Sequence, residues 1–98
     1  MKKYDISFEL FKVANPDLTP EEMDFCYENL KYDSIVNILF FKCLDYARKE
    51  EMFLNVTDHQ HFYIVSVKDY ENEYEPHPEF KSIDLKEAIF NTCEYIVK

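Results

Sequence analysis

Apolar positions recur at helical spacing through the first half of the chain and alternate in the second half. Ile6, Leu10, Phe11, Val13 and Ala14 fall on one helical face, which predicts a first helix over about residues 4–14. Asn15-Pro16-Asp17 ends it, because proline cannot continue a helix and biases its predecessor to extended geometry. The next start signal is explicit. Thr19 at the N-cap, Pro20 at N1 and Glu22 at N3 form a capping box, with Leu18 and Met23 placed as its hydrophobic staple. Met23, Cys26, Tyr27 and Leu30 make the apolar stripe of a second helix from about 20 to 30. A third helix follows, capped by Asp33 or Ser34 and ending at Arg48-Lys49. Ile35, Val36, Ile38, Leu39, Phe40, Phe41, Cys43, Leu44, Tyr46 and Ala47 surround most of its circumference, which predicts a buried, central helix.

At Met52 the period drops to two. Met52, Leu54 and Val56 alternate with Phe53, Asn55 and Thr57, and a second β-rich run spans His61 to Lys68 across the polar turn Asp58-His59-Gln60. Phe62 and Ile64 face one way and Tyr63, Val65 and Val67 the other, so this strand is expected to be covered on both sides. A polar stretch, 69–79, precedes a third short strand from Phe80 to Ile83. Asp84 then caps a final helix whose core stripe is Leu85, Ala88, Ile89, Cys93 and Ile96. The expectation is an α+β fold in one compact domain, residues 1–98. It comprises three N-terminal helices, a small antiparallel sheet of two or three strands, and a C-terminal helix packed on it.

Composition narrows the function classes. The 98 residues include no glycine, where average usage of about 7% would supply about seven. That excludes a Walker loop, a G-x-G-x-x-G dinucleotide fingerprint and a G-x-S-x-G nucleophile elbow, all of which need glycine's backbone freedom. Twenty acids against eleven bases give a net charge of −9, which disfavours direct binding to nucleic acid or to an anionic membrane. Met1-Lys2-Lys3 leads into Tyr4, Asp5 and Glu9 rather than an apolar run, so no signal peptide is expected. Three cysteines at unpatterned spacing read as a reduced, cytoplasmic chain, in a bacterial or phage-infected cell if the Lys- and Asn-rich composition reflects an AT-rich genome.

Candidate chemistry is sparse. Cys26, Cys43 and Cys93 lie on apolar stripes, where a free thiol serves as a small hydrophobe. His59 and His61, with His77 and Glu79, are the one conceivable metal set, but no cysteine spacing accompanies them and surface histidines are the simpler reading. Ser7, Ser34, Ser66 and Ser82 sit in helices or strands with no glycine turn to form an oxyanion hole. No cofactor, metal or catalytic residue is expected.

Charge patterning is more informative. From Asp69 to Glu79 five carboxylates occur without a Lys or Arg. If extended, Asp69, Glu71, Glu73 and Glu75 would line one edge about 6.6–6.8 Å apart, comparable to successive phosphates of a nucleic-acid strand. Tyr70 and Tyr74 would lie opposite, as anchors or hot spots. Glu21, Glu22, Asp24 and Glu28 form a second cluster on the second helix. Acids at a helix N-terminus complement its dipole and acidic loops are soluble, so both clusters also have a structural explanation. The functional expectation is an acidic inhibitor that occludes a basic, nucleic-acid-binding surface of a protein partner, as a phage anti-defence protein of anti-CRISPR or anti-restriction type would. An immunity protein or antitoxin against a basic toxin is the alternative, and a metal-binding or enzymatic domain using the three histidines is a further one.

Overall fold

The computed structural model describes residues 4–70 and 76–98. Among them the order is α1 (Phe8–Ala14), α2 (Pro20–Glu28), α3 (Asp33–Lys49), β1 (Met52–Asp58), β2 (Tyr63–Asp69), β3 (Glu79–Ser82) and α4 (Leu85–Val97). The sheet is antiparallel with strand order β1-β2-β3. α3 packs against β1 while α4 packs against β2 and β3, so the architecture is the expected α+β one.

α1 begins four residues later than its apolar spacing predicts. Ser7 caps it, accepting a hydrogen bond from the Leu10 N–H at 3.1 Å. Residues 4–7 instead tie the N-terminal segment to α4 and its cap. The Tyr4 hydroxyl donates to the Asp84 carboxylate at 2.6 Å, and the Ser7 N–H donates to Glu94 at 2.8 Å. α2 carries the full capping box: Thr19 Oγ1 accepts from the Glu22 N–H at 3.2 Å, and Glu22 accepts from the Thr19 N–H at 3.0 Å. It stops at Glu28, short of the predicted end, and Leu30 is buried from the following turn. The cap of α3 is Tyr32, with no side-chain hydrogen bond; Asp33 is the first helical residue, where its charge still suits the dipole.

One cluster forms the core. Leu10 and Phe11 of α1, Val36, Leu39 and Cys43 of α3, Val65 of β2, and Ala88, Ile89, Phe90 and Cys93 of α4 meet in it. Tyr4 packs edge-on against Phe90 at 5.2 Å, and Phe11 against Tyr27 at 5.4 Å. The Cys93 thiol donates to the Cys43 backbone carbonyl at 3.5 Å, and the neighbouring Cys93 side chain together with burial pushes the Cys43 thiol pKa up. Both thiols are fully buried among apolar side chains, where a free cysteine packs as a small hydrophobe. α3 is not buried all round: Ile38 and Phe41 are 57% and 64% exposed, because no described element covers that face.

The register places Leu54 opposite Val67 and Val56 opposite Val65, on the helix-covered face with Phe80. Phe53, Asn55, Ile64, Ser66, Lys68 and Lys81 lie on the other face, which no described element covers. Ile64 is therefore only half-buried, and β2 is covered on one side rather than two. The β1–β2 hairpin closes through His59 and Phe62, whose backbones exchange hydrogen bonds of 2.8 and 3.4 Å around Gln60-His61. Among the described residues the one positive φ is Glu51, 58°, at the α3–β1 junction. Helices commonly end with a glycine in this left-handed conformation.

Candidate functional site

α2 turns Met23, Cys26 and Tyr27 toward the core, each half-buried, and the Tyr27 hydroxyl donates to the Ile6 carbonyl at 2.7 Å. No residue of α2 is fully buried, so the helix is a surface appendage resting mainly on α1. Its outer stripe carries Glu21, Asp24 and Glu28 at i, i+3 and i+7, spanning about 10 Å along the axis. All three are exposed, and none has an ion-pair partner among the described residues. Phe25, 66% exposed, stands among them.

The four acids of this cluster are not equivalent. Glu22 belongs to the cap: its hydrogen bonds to the Thr19 backbone and side chain hold its carboxyl below the usual value. Glu21 sits in the first turn, where the dipole favours an anion. Asp24 and Glu28 have neither excuse. They are one turn apart, a like-charge spacing that costs about 0.2–0.5 kcal/mol. Glu28 also ends the helix, where the dipole disfavours an anion and no basic residue compensates.

Of the acidic run, the described part is split between two strands. Asp69 is the last residue of β2, half-buried opposite Met52. Tyr70 is exposed, its ring 6.1 Å from Phe53, and its N–H extends the ladder to the Glu51 carbonyl at 3.1 Å. Glu79 opens β3 opposite Ser66. Glu71, Glu73, Tyr74 and Glu75 lie outside the described residues. α2 packs on α1 while the sheet packs on α3 and α4, so Asp69 and Glu79 lie on a different part of the molecule from the α2 acids.

His59 and His61 are exposed in the hairpin, with His59 stacked on Phe62 at 4.9 Å. His77 is elsewhere, its Nδ1 2.8 Å from the Tyr95 hydroxyl. Among the described residues no three His, Cys, Asp or Glu side chains come together as a metal site. No described helix is long and apolar enough to cross a membrane.

Two clefts border these features. An apolar one of about 200 Å³ lies between α1, α2 and α3, lined by Leu18, Cys26, Ile35, Ile38 and Leu39 with Lys42 beside them. A second, of about 170 Å³, lies between α3 and β1, lined by Leu44, Ala47, Arg48, Met52 and Leu54. Phe25 was not among the residues expected at a site. The signal was present in its position off the Met23–Cys26–Tyr27 stripe, an aromatic placed among acids. Comparison with protein-family models, with curated proteins and with solved structures finds no match to this chain.

Proposed function

We propose that this chain is an acidic protein-binding inhibitor whose α2 face docks on a basic, nucleic-acid-binding surface of a partner protein and occludes it. The observation that carries this is the outer stripe of α2, an exposed Phe25 set among Glu21, Asp24 and Glu28. An apolar anchor with a charged surround is the anatomy of a protein interface, and aromatics are frequent hot spots there. The dipole accounts for Glu21 and Glu22 but opposes Glu28, so folding alone gives no return for that charge. Carboxylates so placed can pair with the arginines and lysines that otherwise hold phosphates. The net charge of −9 steers encounter with such a partner and makes association sensitive to salt. A phage anti-defence role in the host cytoplasm fits this chemistry.

The test uses the immobilised chain on a nuclease-treated bacterial lysate. A captured protein should be released by added salt and by a competing duplex oligonucleotide, and should be lost with the E21Q/D24N/E28Q variant. A partner indifferent to the oligonucleotide, or retained by the variant, refutes the proposal.

A further inference from the structure

The free edge of β1 carries information that the acidic surface does not. β1 pairs with β2 on one side, and no described strand pairs with its other edge. Which backbone groups point outward follows from the ladder. The Tyr70 N–H bonds the Glu51 carbonyl at 3.1 Å, His59 and Phe62 bond each other, and the Ser66 hydroxyl reaches the Asn55 carbonyl at 3.4 Å. Odd-numbered residues of β1 therefore turn their N–H and C=O groups toward β2, since hydrogen-bonded pairs alternate along an antiparallel ladder. Met52, Leu54, Val56 and Asp58 turn theirs to the open edge.

Natural sheets protect such edges with lysine, proline, charge or a bulge. From Met52 to Thr57 the strand has no charge and no proline. Val56, on the helix-covered face of the sheet, is nonetheless 43% exposed.

We infer that β1 is a self-pairing edge, joining a second copy of this chain antiparallel about a two-fold axis at Asn55 to make one six-stranded sheet. A two-fold axis normal to the sheet keeps the helices of both copies on one face, and it requires one residue to oppose itself. With Asn55 on the axis, Leu54 faces Val56 of the second copy and Phe53 faces Thr57, so apolar rows continue across the seam. Met52 faces Asp58, which brings that carboxylate to the cleft where Met52 and Arg48 line the wall. Glu51 faces His59. Arg48, the only arginine in the chain, is held at home, among the described residues, by a solvent-exposed pair with Asp45 at 3.6 Å, a contact of little energy. Neighbouring registers are worse. Leu54 on the axis sets Glu50 against Asp58, and Val56 on the axis sets Asp58 against Leu54. The charge pairing is thus specific to a second copy in one register.

Sedimentation of the purified chain from nanomolar to high micromolar concentration, with matched variants, tests this. The wild type should pass from monomer to dimer. Higher salt should tighten the dimer, because two copies of −9 repel, whereas it should weaken capture of a basic partner. V56P deletes an outward N–H without touching the β2 ladder, so it should keep a native circular dichroism spectrum and remain monomeric. D58R places like charges together and should weaken the dimer at least tenfold, and R48E/D58R should restore it. A wild type monomeric throughout, a dimer that survives V56P in a folded protein, or a double variant that fails to restore pairing each overturns the inference. So does a chain that stays monomeric yet pairs β1 with a foreign strand. None of these outcomes touches the α2 surface, so failure here leaves the inhibitor proposal standing.

Discussion

Phe25→Ala separates a side chain kept for folding from one kept for docking. Complete burial of a phenylalanine contributes about 1.5–3 kcal/mol. Phe25 is 66% exposed, so about a third of that, roughly 0.5–1 kcal/mol, is at stake in the isolated chain. Alanine returns about 0.5 kcal/mol through its higher helix propensity. The net change in unfolding free energy should stay within about 0.5 kcal/mol, a few degrees in Tm for a domain of this size. Phe11, 2% exposed in the core, supplies the contrast: its replacement by alanine should cost about 3–5 kcal/mol. In the complex the order reverses. A central aromatic is worth at least about 2 kcal/mol, roughly 30-fold in affinity. Urea unfolding followed by circular dichroism and titration calorimetry against the captured partner read the two quantities. A loss of more than about 1.5 kcal/mol in stability would make Phe25 a structural residue, and less than a threefold fall in affinity would remove it from the interface.

Three further outcomes follow from single contacts. Thr19→Ala removes the acceptor of the Glu22 N–H and should cost about 1 kcal/mol, seen as faster amide exchange across residues 20–28 with α4 unchanged, since α2 buries no residue. Glu51→Gly relieves a left-handed non-glycine conformation worth about 1–2 kcal/mol, part of which is returned as unfolded-chain entropy; a Tm rise of a few degrees is expected, and a fall contradicts the strain. Burial and the hydrogen bond to Asp84 push Tyr4 from 10.0 up to about 12. Its phenol holds a proton in the folded chain that the unfolded chain releases first, so its contribution is complete below pH 10 and lost between pH 10 and 12; Tyr4→Phe should flatten the alkaline limb of a stability-against-pH curve.

The features that were readable in the sequence are those decided within a few residues. Thr19, Pro20 and Glu22 specify a helix start among themselves, Asp84 does so for α4, and Pro16 ends α1. The β-alternation from Met52 and the run to Lys68 likewise state their own period. What escaped depends on partners far along the chain. Ile6 fits the helical stripe, yet Tyr4 is drawn to Asp84 and Ser7 to Glu94, which hold the segment out of the helix. Ile38, Phe41 and Ile64 are apolar and were expected to be covered, but periodicity counts residue types and not the elements available to cover them. Of the proposed docking face, the α2 acids were evident. That Glu22 serves the cap was legible too, from its place three residues after Thr19; that Phe25 stands exposed beside the others required knowing which face α1 occupies.

Glu28→Lys sharpens that division into a trade between stability and binding. At the last position of α2 a cation suits the negative end of the dipole, worth about 0.3–1 kcal/mol. Asp24 four residues earlier becomes an attractive i, i+4 partner in place of a repulsive one, adding a few tenths of a kcal/mol in each sense. Amide exchange in α2 should therefore slow by about three- to tenfold, equivalent to roughly 0.7–1.4 kcal/mol. If the acids of α2 are only a solvated helix face, nothing is lost by this change, and the affinity for a captured basic partner should be untouched. If they meet lysines and arginines across an interface, the reversed charge sets like against like, and affinity should fall tenfold or more with a shallower dependence on salt. Slower exchange together with weaker binding is the outcome that only an interface role predicts. Slower exchange with binding unchanged returns Glu28 to the solvent.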